Sequence, residues 1–207
     1  VIGGSLGAQP INDVIFELIT LPEANIKKQT NDLPRKLNII WQTGESDFLR
    51  IYSKLQSIIN AKSSNSNSLF YVNKKKFEFN ISLHKFIDNM DYAYKAADLV
   101  ISRSGAIAVT EICYLSIPSI LIPSPFVTDD HQYKNAKYLL DNQAALVIKN
   151  KGQIDFDKLF HFINFLLGDK KRATKMATKA NTLFEYDASK KICEFILKNI
   201  QDEKYDK

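Results

Sequence analysis

The sequence predicts an α/β fold, a Rossmann-like parallel sheet with flanking helices, and two observations carry that reading. Short apolar runs alternate with segments of helical period about ten to fifteen residues long, which is the pattern of βαβ units. Every notable loop, at Gly3-Gly4-Ser5, Gly44, Arg103-Ser104-Gly105 and Ser124 to His131, follows such a run and so falls at the carboxyl end of a strand. Open α/β sheets bind their ligands at those ends.

Val1 and Ile2 lead directly into Gly3, Gly4 and Gly7, and Ile11 to Ile19 then repeats apolar residues at helical spacing. Lys36 to Trp41 reads as a strand ended by Thr43-Gly44, and Phe48 to Ile59 as an amphipathic helix. Ala61 to Asn67 is polar, short-sided and aperiodic, and is expected to be a loop. Leu69 to Val72 and Phe77 to Leu83 are extended, and Asp91 to Ala97 is a short helix. Asp98 to Ser102 is a buried strand, followed by a helix from Ala106 to Leu115. Pro118 to Pro123 is another strand, Gln132 to Leu140 a helix and Ala145 to Ile148 a strand. Helical pattern dominates from Asp155 onward, over Phe156 to Leu167, Lys170 to Phe184 and Ala188 to Ile200. The expected organisation is one domain over residues 1–207, with a helical C-terminal segment at about 155–200.

Composition narrows the class. Hydrophobic content of 45% and charged content of 25% are ordinary for a globular protein. No apolar stretch approaches the roughly 20 residues of a membrane span. The net charge of +5 is scattered along a Lys-rich and Asn-rich sequence instead of forming a stripe, and no basic cluster is interleaved with aromatics, so nucleic acid is not an expected partner. Cys113 and Cys193 are far apart, each inside a helical segment, and are expected to be two buried thiols.

Three stretches carry chemistry. In the opening loop, Gly3, Gly4 and Gly7 allow a tight turn and close approach of backbone to a ligand, and the helix that follows offers free N–H groups to an anion. GGSLGA lacks the Gly-Lys-Ser/Thr ending of a P-loop and the spacing of a dinucleotide fingerprint, so a plain strand-to-helix turn explains it equally well. In Ile101 to Glu111 a strand ends, Gly105 turns the chain, and small residues begin a helix. Glu111 reads either as a surface acid favoured by the helix dipole or as an acceptor for the two vicinal hydroxyls of a ribose, with a diphosphate on the amides of Ala106 to Ala108. In Pro123 to Ala136, Asp130, His131 and Gln132 gather at a helix start. Asp130 reads as an N-cap, and the same cluster matches the donors and acceptors of sugar hydroxyls. Asp129-Asp130 has no further carboxylates at metal-binding spacing, and His84, His131 and His161 are too scattered for zinc, so neither a metal nor a cofactor is expected.

Taken together, GGSLGAQPIN (Gly3 to Asn12), WQTG (Trp41 to Gly44), FIDNM (Phe86 to Met90), RSGA with TEI (Arg103 to Ile112) and IPSPFVTDDHQYKNA (Ile122 to Ala136) resemble the C-terminal half of the MurG family of bacterial transferases, glycosyltransferase family 28. The five stretches occur in family order and span essentially the whole chain. The resemblance implies the C-terminal domain of a GT-B glycosyltransferase, the half that binds the donor UDP-N-acetylglucosamine. Such enzymes transfer N-acetylglucosamine to lipid I, forming lipid II in peptidoglycan synthesis, as peripheral proteins on the cytoplasmic face of the cell membrane.

Carried over residue by residue, the resemblance implies that the backbone of Ile87 reads the uracil, with Met90 close by. It gives Ala106 and Ile107 the diphosphate, Glu111 the ribose diol, His131 and Gln132 the sugar hydroxyls, and Ser5 the phosphates across the cleft. Gly3, Gly4 and Gly7 form the phosphate loop, and Arg103, Ser104, Gly105 and Asp130 support the site. Departures from the family pattern are Leu6, Ala108 and His131, which stand where Gln, Thr and Gln occur in other members. The family's N-terminal domain, with its catalytic base and its acceptor and lipid surfaces, has no counterpart in this sequence. The resemblance therefore implies no catalytic residue in this half, an inverting reaction in the whole enzyme, and an isolated chain that is inactive. A stand-alone donor subunit of a split transferase and a non-catalytic UDP-sugar-binding module are the alternatives.

Overall fold

Val1 to Gly3 run along the middle of the sheet. The amino group of Val1 donates to the Ile40 carbonyl at 2.7 Å. The Gln42 amide donates to the Val1 carbonyl at 3.0 Å, and the Ile2 amide to the Ile101 carbonyl at 2.9 Å. Ile2 is thus bridged in parallel to Gln42 on one side and to Ser102 on the other. The computed structural model describes residues 1–4, 7–20, 34, 36–58, 61–64, 68–74, 77–149 and 152–202.

Around that stub the strands are β1 (Lys36–Gln42), β2 (Ala61–Ser64), β3 (Leu69–Asn73), β4 (Glu78–His84), β5 (Val100–Ser102), β6 (Ser119–Leu121) and β7 (Leu146–Val147). Their order is β2-β3-β4-β1, then the stub, then β5-β6-β7. From β4 to β7 every pairing is parallel. The chain works outward from the stub to one side, through β1 and β4, and then crosses to the other side for β5. That reversal opens a crevice at the carboxyl ends of the stub, β1 and β5.

The sheet is not parallel throughout. β3 pairs antiparallel with β4, and β2 pairs antiparallel with β3, Ala61 facing Val72 and Ser64 facing Leu69. Ala61 to Ser64, expected as loop, is therefore a strand, while 65–67 of the same tract lie outside the described residues. An outermost strand is held by main-chain hydrogen bonds and needs no apolar face, so its sequence carries no alternation to read.

The helices are α1 (Gln9–Thr20), α2 (Phe48–Gln56), α3 (Met90–Lys95), α4 (Ala106–Leu115), α5 (His131–Asp141), α6 (Phe156–Leu167), α7 (Lys170–Thr182) and α8 (Ala188–Asp202). Alternation along the parallel strands sends neighbouring side chains to opposite faces. Ile101, Ile120, Ile122 and Ile148 join a core with Ile11, Val14, Ile15, Leu18 and Ile19 of α1 and Leu159, Phe160, Ile163 and Leu166 of α6. Val100, Leu121 and Val147 face a second core with Ile112 of α4, Ala136 and Leu139 of α5 and Ala180 of α7. Helices on both faces explain why β5 and β6 read as unbroken apolar runs. Pro10 is tolerated in α1 because first-turn amides have no intrahelical partner to lose.

One buried polar cluster fixes the start of α1 against β1. Asn12, with 0% exposure, donates through Nδ2 to the Thr43 carbonyl at 3.0 Å and to Asp47 Oδ2 at 2.7 Å. Its Oδ1 accepts from Trp41 Nε1 at 2.8 Å. Arg50 closes the network, donating through Nη2 to Asp47 at 2.7 Å and through Nη1 to Asp13 at 2.6 Å. Burial would raise the Asp47 carboxyl, but the hydrogen bonds from Arg50 and Asn12 outweigh it and hold its pKa below the ordinary value.

Cys113 is buried, and burial pushes its thiol pKa up, whereas Cys193 is exposed, against the expectation of two buried thiols. Cys193 lies on α8, whose apolar residues Ile192, Phe195 and Leu197 are also exposed. Helical periodicity marks an apolar face without saying whether anything covers it. Among the described residues no helix is long and apolar enough to cross a membrane.

Candidate functional site

The loops that leave the carboxyl ends of the stub, β1, β4, β5 and β6 are tied to one another by side chains. Gln42, the last residue of β1 and 2% exposed, donates through Nε2 to the Gly4 carbonyl at 3.2 Å. Its Oε1 accepts from the Ile87 amide at 2.9 Å. One buried amide thereby joins the opening glycine turn to the loop after β4. Backbone bonds run beside it, from the Thr43 amide to the His84 carbonyl at 2.9 Å and from the Gly44 amide to the Lys85 carbonyl at 3.1 Å.

On the other side of the crevice, Arg103 donates through Nη1 to the carbonyls of Ile122 and Pro123, at 2.9 and 3.0 Å. Burial lowers the pKa of this guanidinium. Ser104, 0% exposed, donates to the Gln132 carbonyl at 2.8 Å, and Asn135 Nδ2 donates to the Ser104 carbonyl at 3.1 Å. The Arg103-Ser104-Gly105 turn is thus clamped onto the start of α5 and the end of β6. Gln132 Oε1 accepts from the Ser124 amide at 2.9 Å, which fixes the Pro-Ser-Pro loop and leaves the side-chain NH2 as the group Gln132 can offer a ligand.

α4 starts at Gly105 in extended conformation with no side-chain cap. Its first amides, those of Ala106, Ile107 and Ala108, meet no acceptor among the described residues and form the positive end of a ten-residue helix. A Cβ on Gly105 would meet nothing within 4 Å, so the protein itself does not need glycine there. Ala106 and Ile107 are exposed, Ile107 at 76%. Glu111, half-buried, accepts through Oε2 from the Tyr94 hydroxyl at 3.0 Å. Tyr94 belongs to α3, which begins at Met90, three residues after Ile87.

Asp130 precedes α5, but its carboxylate makes no capping hydrogen bond, contrary to the N-cap expectation. Its φ of 50°, next to 54° at Asp129, places both residues in the left-handed region, where the side chain is not aimed at the first-turn amides as in a β-region cap. Asp is among the few non-glycine residues that tolerate this conformation, and the paired turns set His131 at the start of α5. His131 Nδ1 lies 2.9 Å from the Thr128 carbonyl. A carbonyl only accepts, so Nδ1 carries the hydrogen and Nε2 of the neutral ring is left as an acceptor.

Of the residues singled out from sequence, Gly3, Gly4, Gly7, Ile87, Met90, Arg103, Ser104, Gly105, Ala106, Ile107, Glu111, Asp130, His131 and Gln132 all lie on elements leaving this end of the sheet. Ser5 lies outside the described residues. Sequence reasoning gave no role of their own to Gln42, Tyr94, Ser124 and Asn135, which hold the others in place. A polar Gln-Thr pair directly after the apolar Ile39-Ile40-Trp41 was the available signal for Gln42.

A cavity of about 520 Å³ lies between β1 and β5, lined by Leu37 to Ile40, Leu99 to Ile101, Ile15 and Leu18. Its lining is largely apolar and also takes in Val1, Ile2, Ile87, Met90 and Tyr94, so it adjoins the residues beside the crevice above.

The glycosyltransferase family 28 C-terminal domain matches residues 1–192. A protein of Flavobacterium psychrophilum is 34% identical over 206 residues, and one of Acetivibrio thermocellus 37% over 204, each alignment taking in 99% of this chain and 47% of the relative. Both relatives carry the name UDP-N-acetylglucosamine--N-acetylmuramyl-(pentapeptide) pyrophosphoryl-undecaprenol N-acetylglucosamine transferase. The crystal structure of Acinetobacter baumannii MurG superposes with a TM-score of 0.70 at 27% identity, over 95% of this chain and 48% of that one. The chain spans about half the length of the relatives it matches. Its α/β architecture, with a mainly parallel sheet between helices, is that of the C-terminal GT-B domain of MurG, and the chain belongs to glycosyltransferase family 28.

Proposed function

We propose that this chain is the donor-binding half of a transferase that moves N-acetylglucosamine from UDP-N-acetylglucosamine to lipid I, forming lipid II for peptidoglycan. The observation that carries the reading is the uncapped start of α4 with Glu111 on the same helix, set at the sheet's switch point and preceded by a turn that Arg103 and Ser104 clamp in place. Helix-start amides match a diphosphate, and a carboxylate one and a half turns further on matches the vicinal hydroxyls of a ribose.

In this reading the carbonyl of Ile87, which accepts no hydrogen bond among the described residues, takes the uracil N3–H, and Met90 flanks the base. The Ile87 amide is occupied by Gln42, so a further contact from it to the base requires Gln42 to release it. Ala106 and Ile107 hold the diphosphate from one side, and the glycine turn of Gly3, Gly4 and Gly7 faces it from the other. Gln132 donates to the sugar hydroxyls, and His131 Nε2 accepts from them.

The reaction is a single displacement with inversion. An acceptor hydroxyl oxygen bonds to the anomeric carbon as its bond to the β-phosphate oxygen breaks, UDP leaves with that electron pair, and the hydroxyl proton passes to a base supplied outside this half. The amides at the start of α4 stabilise the charge that develops on UDP. In this reading these 207 residues alone, about half the length of the relatives they match, bind nucleotide weakly and do not turn over. The lipid-linked acceptor puts the whole enzyme on the cytoplasmic face of the bacterial cell membrane as a peripheral protein.

Glu111→Ala, titrated with UDP by calorimetry, is expected to weaken binding by roughly 1.5–3 kcal/mol, the value of a hydrogen bond to a charged group. Unchanged affinity overturns the ribose assignment. Supplying the acceptor-binding half in trans and assaying transfer to lipid I tests the activity. Intact donor binding with no transfer would leave the chain a binding module.

A further inference from the structure

Resting on the nucleotide reading above, we propose that Tyr94 is a positioning residue for the ribose: its hydroxyl, 3.0 Å from Glu111 Oε2, holds the carboxylate in the orientation that receives the two vicinal hydroxyls. Glu111 is half-buried on an exposed helix face, and its side chain has three rotatable bonds, so a carboxylate without a second tether would sample several orientations. Tyr94 supplies that tether from a fixed position. It is 4% exposed and packed with Val100, Ile112 and Leu121, against Met90.

Donor and acceptor are correctly matched. The phenol donates one hydrogen to Oε2, and an ionised carboxylate has about four acceptor sites, so Oε1 and the second lone pair of Oε2 remain for the two ribose hydroxyls. Burial, reinforced by the adjacent Glu111 charge, raises the phenol's pKa, so it stays protonated and donating at neutral pH. The contact also joins two parts of the site. Tyr94 shares α3 with Met90, directly after the Ile87 loop, while Glu111 shares α4 with the diphosphate amides, so the Tyr94–Glu111 bond sets the spacing between the base side and the ribose side.

A buried phenol requires an acceptor wherever it lies, so loss of stability alone does not test the role. The distinguishing readout is dependence on the ribose hydroxyls. Titrations of the 207-residue chain would compare UDP with 2′,3′-dideoxy-UDP for the parent, Tyr94→Phe, Glu111→Ala and the double variant. Tyr94→Phe deletes one oxygen and keeps the ring, and its melting transition is recorded alongside. The expected result is an affinity for UDP about 3–10-fold lower in Tyr94→Phe, unchanged affinity for the dideoxy nucleotide, and no further loss when Tyr94→Phe is added to Glu111→Ala.

Equal loss for both nucleotides would make Tyr94 a packing residue and overturn the proposal. So would full UDP affinity in Tyr94→Phe when Glu111→Ala weakens it. If the parent binds both nucleotides equally and Glu111→Ala has no effect, the ribose reading fails first and the positioning role falls with it. Should Tyr94→Phe lose its melting transition, Glu111→Gln provides the second arm: it keeps an oxygen for Tyr94 yet weakens acceptance of the diol, so UDP affinity should fall and dideoxy-UDP affinity should not. Equal loss there also overturns the proposal.

Discussion

Asn12→Ala is expected to lower the unfolding free energy by about 3–5 kcal/mol, the larger of two stability effects tied to the opening loop. The side chain removed is fully buried and fully satisfied, with Thr43, Asp47 and Trp41 as its three partners. Alanine strands the Trp41 Nε1–H and the Thr43 carbonyl, each at a desolvation cost of about 1–3 kcal/mol. It also removes a charge-assisted bond to Asp47, though Arg50 still pairs that carboxylate. Trp41→Phe deletes the donor and also leaves a fully buried site underfilled, so its cost adds a cavity term, and the double variant should cost less than the sum because both lose the same bond. Urea unfolding followed by circular dichroism gives the comparison, since Trp41 is the chain's single tryptophan. A loss under about 1 kcal/mol in Asn12→Ala would mean that water replaces the amide, and would refute the network's role.

The same network has a pH signature. Asp47 has a folded pKa below its ordinary 3.8, so its contribution is fully present above that value and is lost as pH falls through the lower, folded pKa. The Asn12 effect should therefore be constant through the neutral range and shrink only in acid.

What was legible in the sequence follows from what local pattern encodes. The helical period of Ile11 to Ile19 and the apolar runs at Val100 to Ser102 and Ser119 to Leu121 report burial, and burial follows from the elements themselves. The positions of the loops follow too, because a parallel sheet puts every strand's carboxyl end on one side. The cross-ties did not show. Gln42 to Ile87 and Tyr94 to Glu111 join residues 45 and 17 positions apart, and no local periodicity records such a pairing. Asp130 misled for a related reason: composition favours a cap, but whether the carboxylate reaches an amide depends on φ, which the neighbouring turn sets. The strand at Ala61 to Ser64 was hidden because main-chain bonding alone makes it one. The five motifs located the site more sharply than any single loop, since GGSLGA by itself was equally a plain turn.

Gly7→Ala is expected to cost about 3 kcal/mol or more of stability and to weaken UDP binding more than tenfold, through two separable causes. Gly7 has a φ of +85°, which a residue with a Cβ adopts only at a cost of about 1–2 kcal/mol. Its Cβ would also run into the Thr43 carbonyl oxygen, the one that accepts from Asn12, and backbone cannot move aside as the end of a flexible side chain can. Gly4 separates the two causes: its φ is +87°, yet a Cβ there meets nothing within 4 Å. Gly4→Ala should therefore carry only the conformational cost, about 1–2 kcal/mol. The difference between the two variants measures how closely the opening turn is pressed against the end of β1. Because relief of the clash must push the turn away from Thr43, Gly7→Ala should displace the same loop that faces the diphosphate. Denaturant midpoints give the stability difference, and UDP titration well below the melting transition gives the binding loss. Equal destabilisation by the two alanines would show that the close approach to Thr43 contributes nothing, and the loop's position would then have to be set by Gln42 and its bond to the Gly4 carbonyl alone.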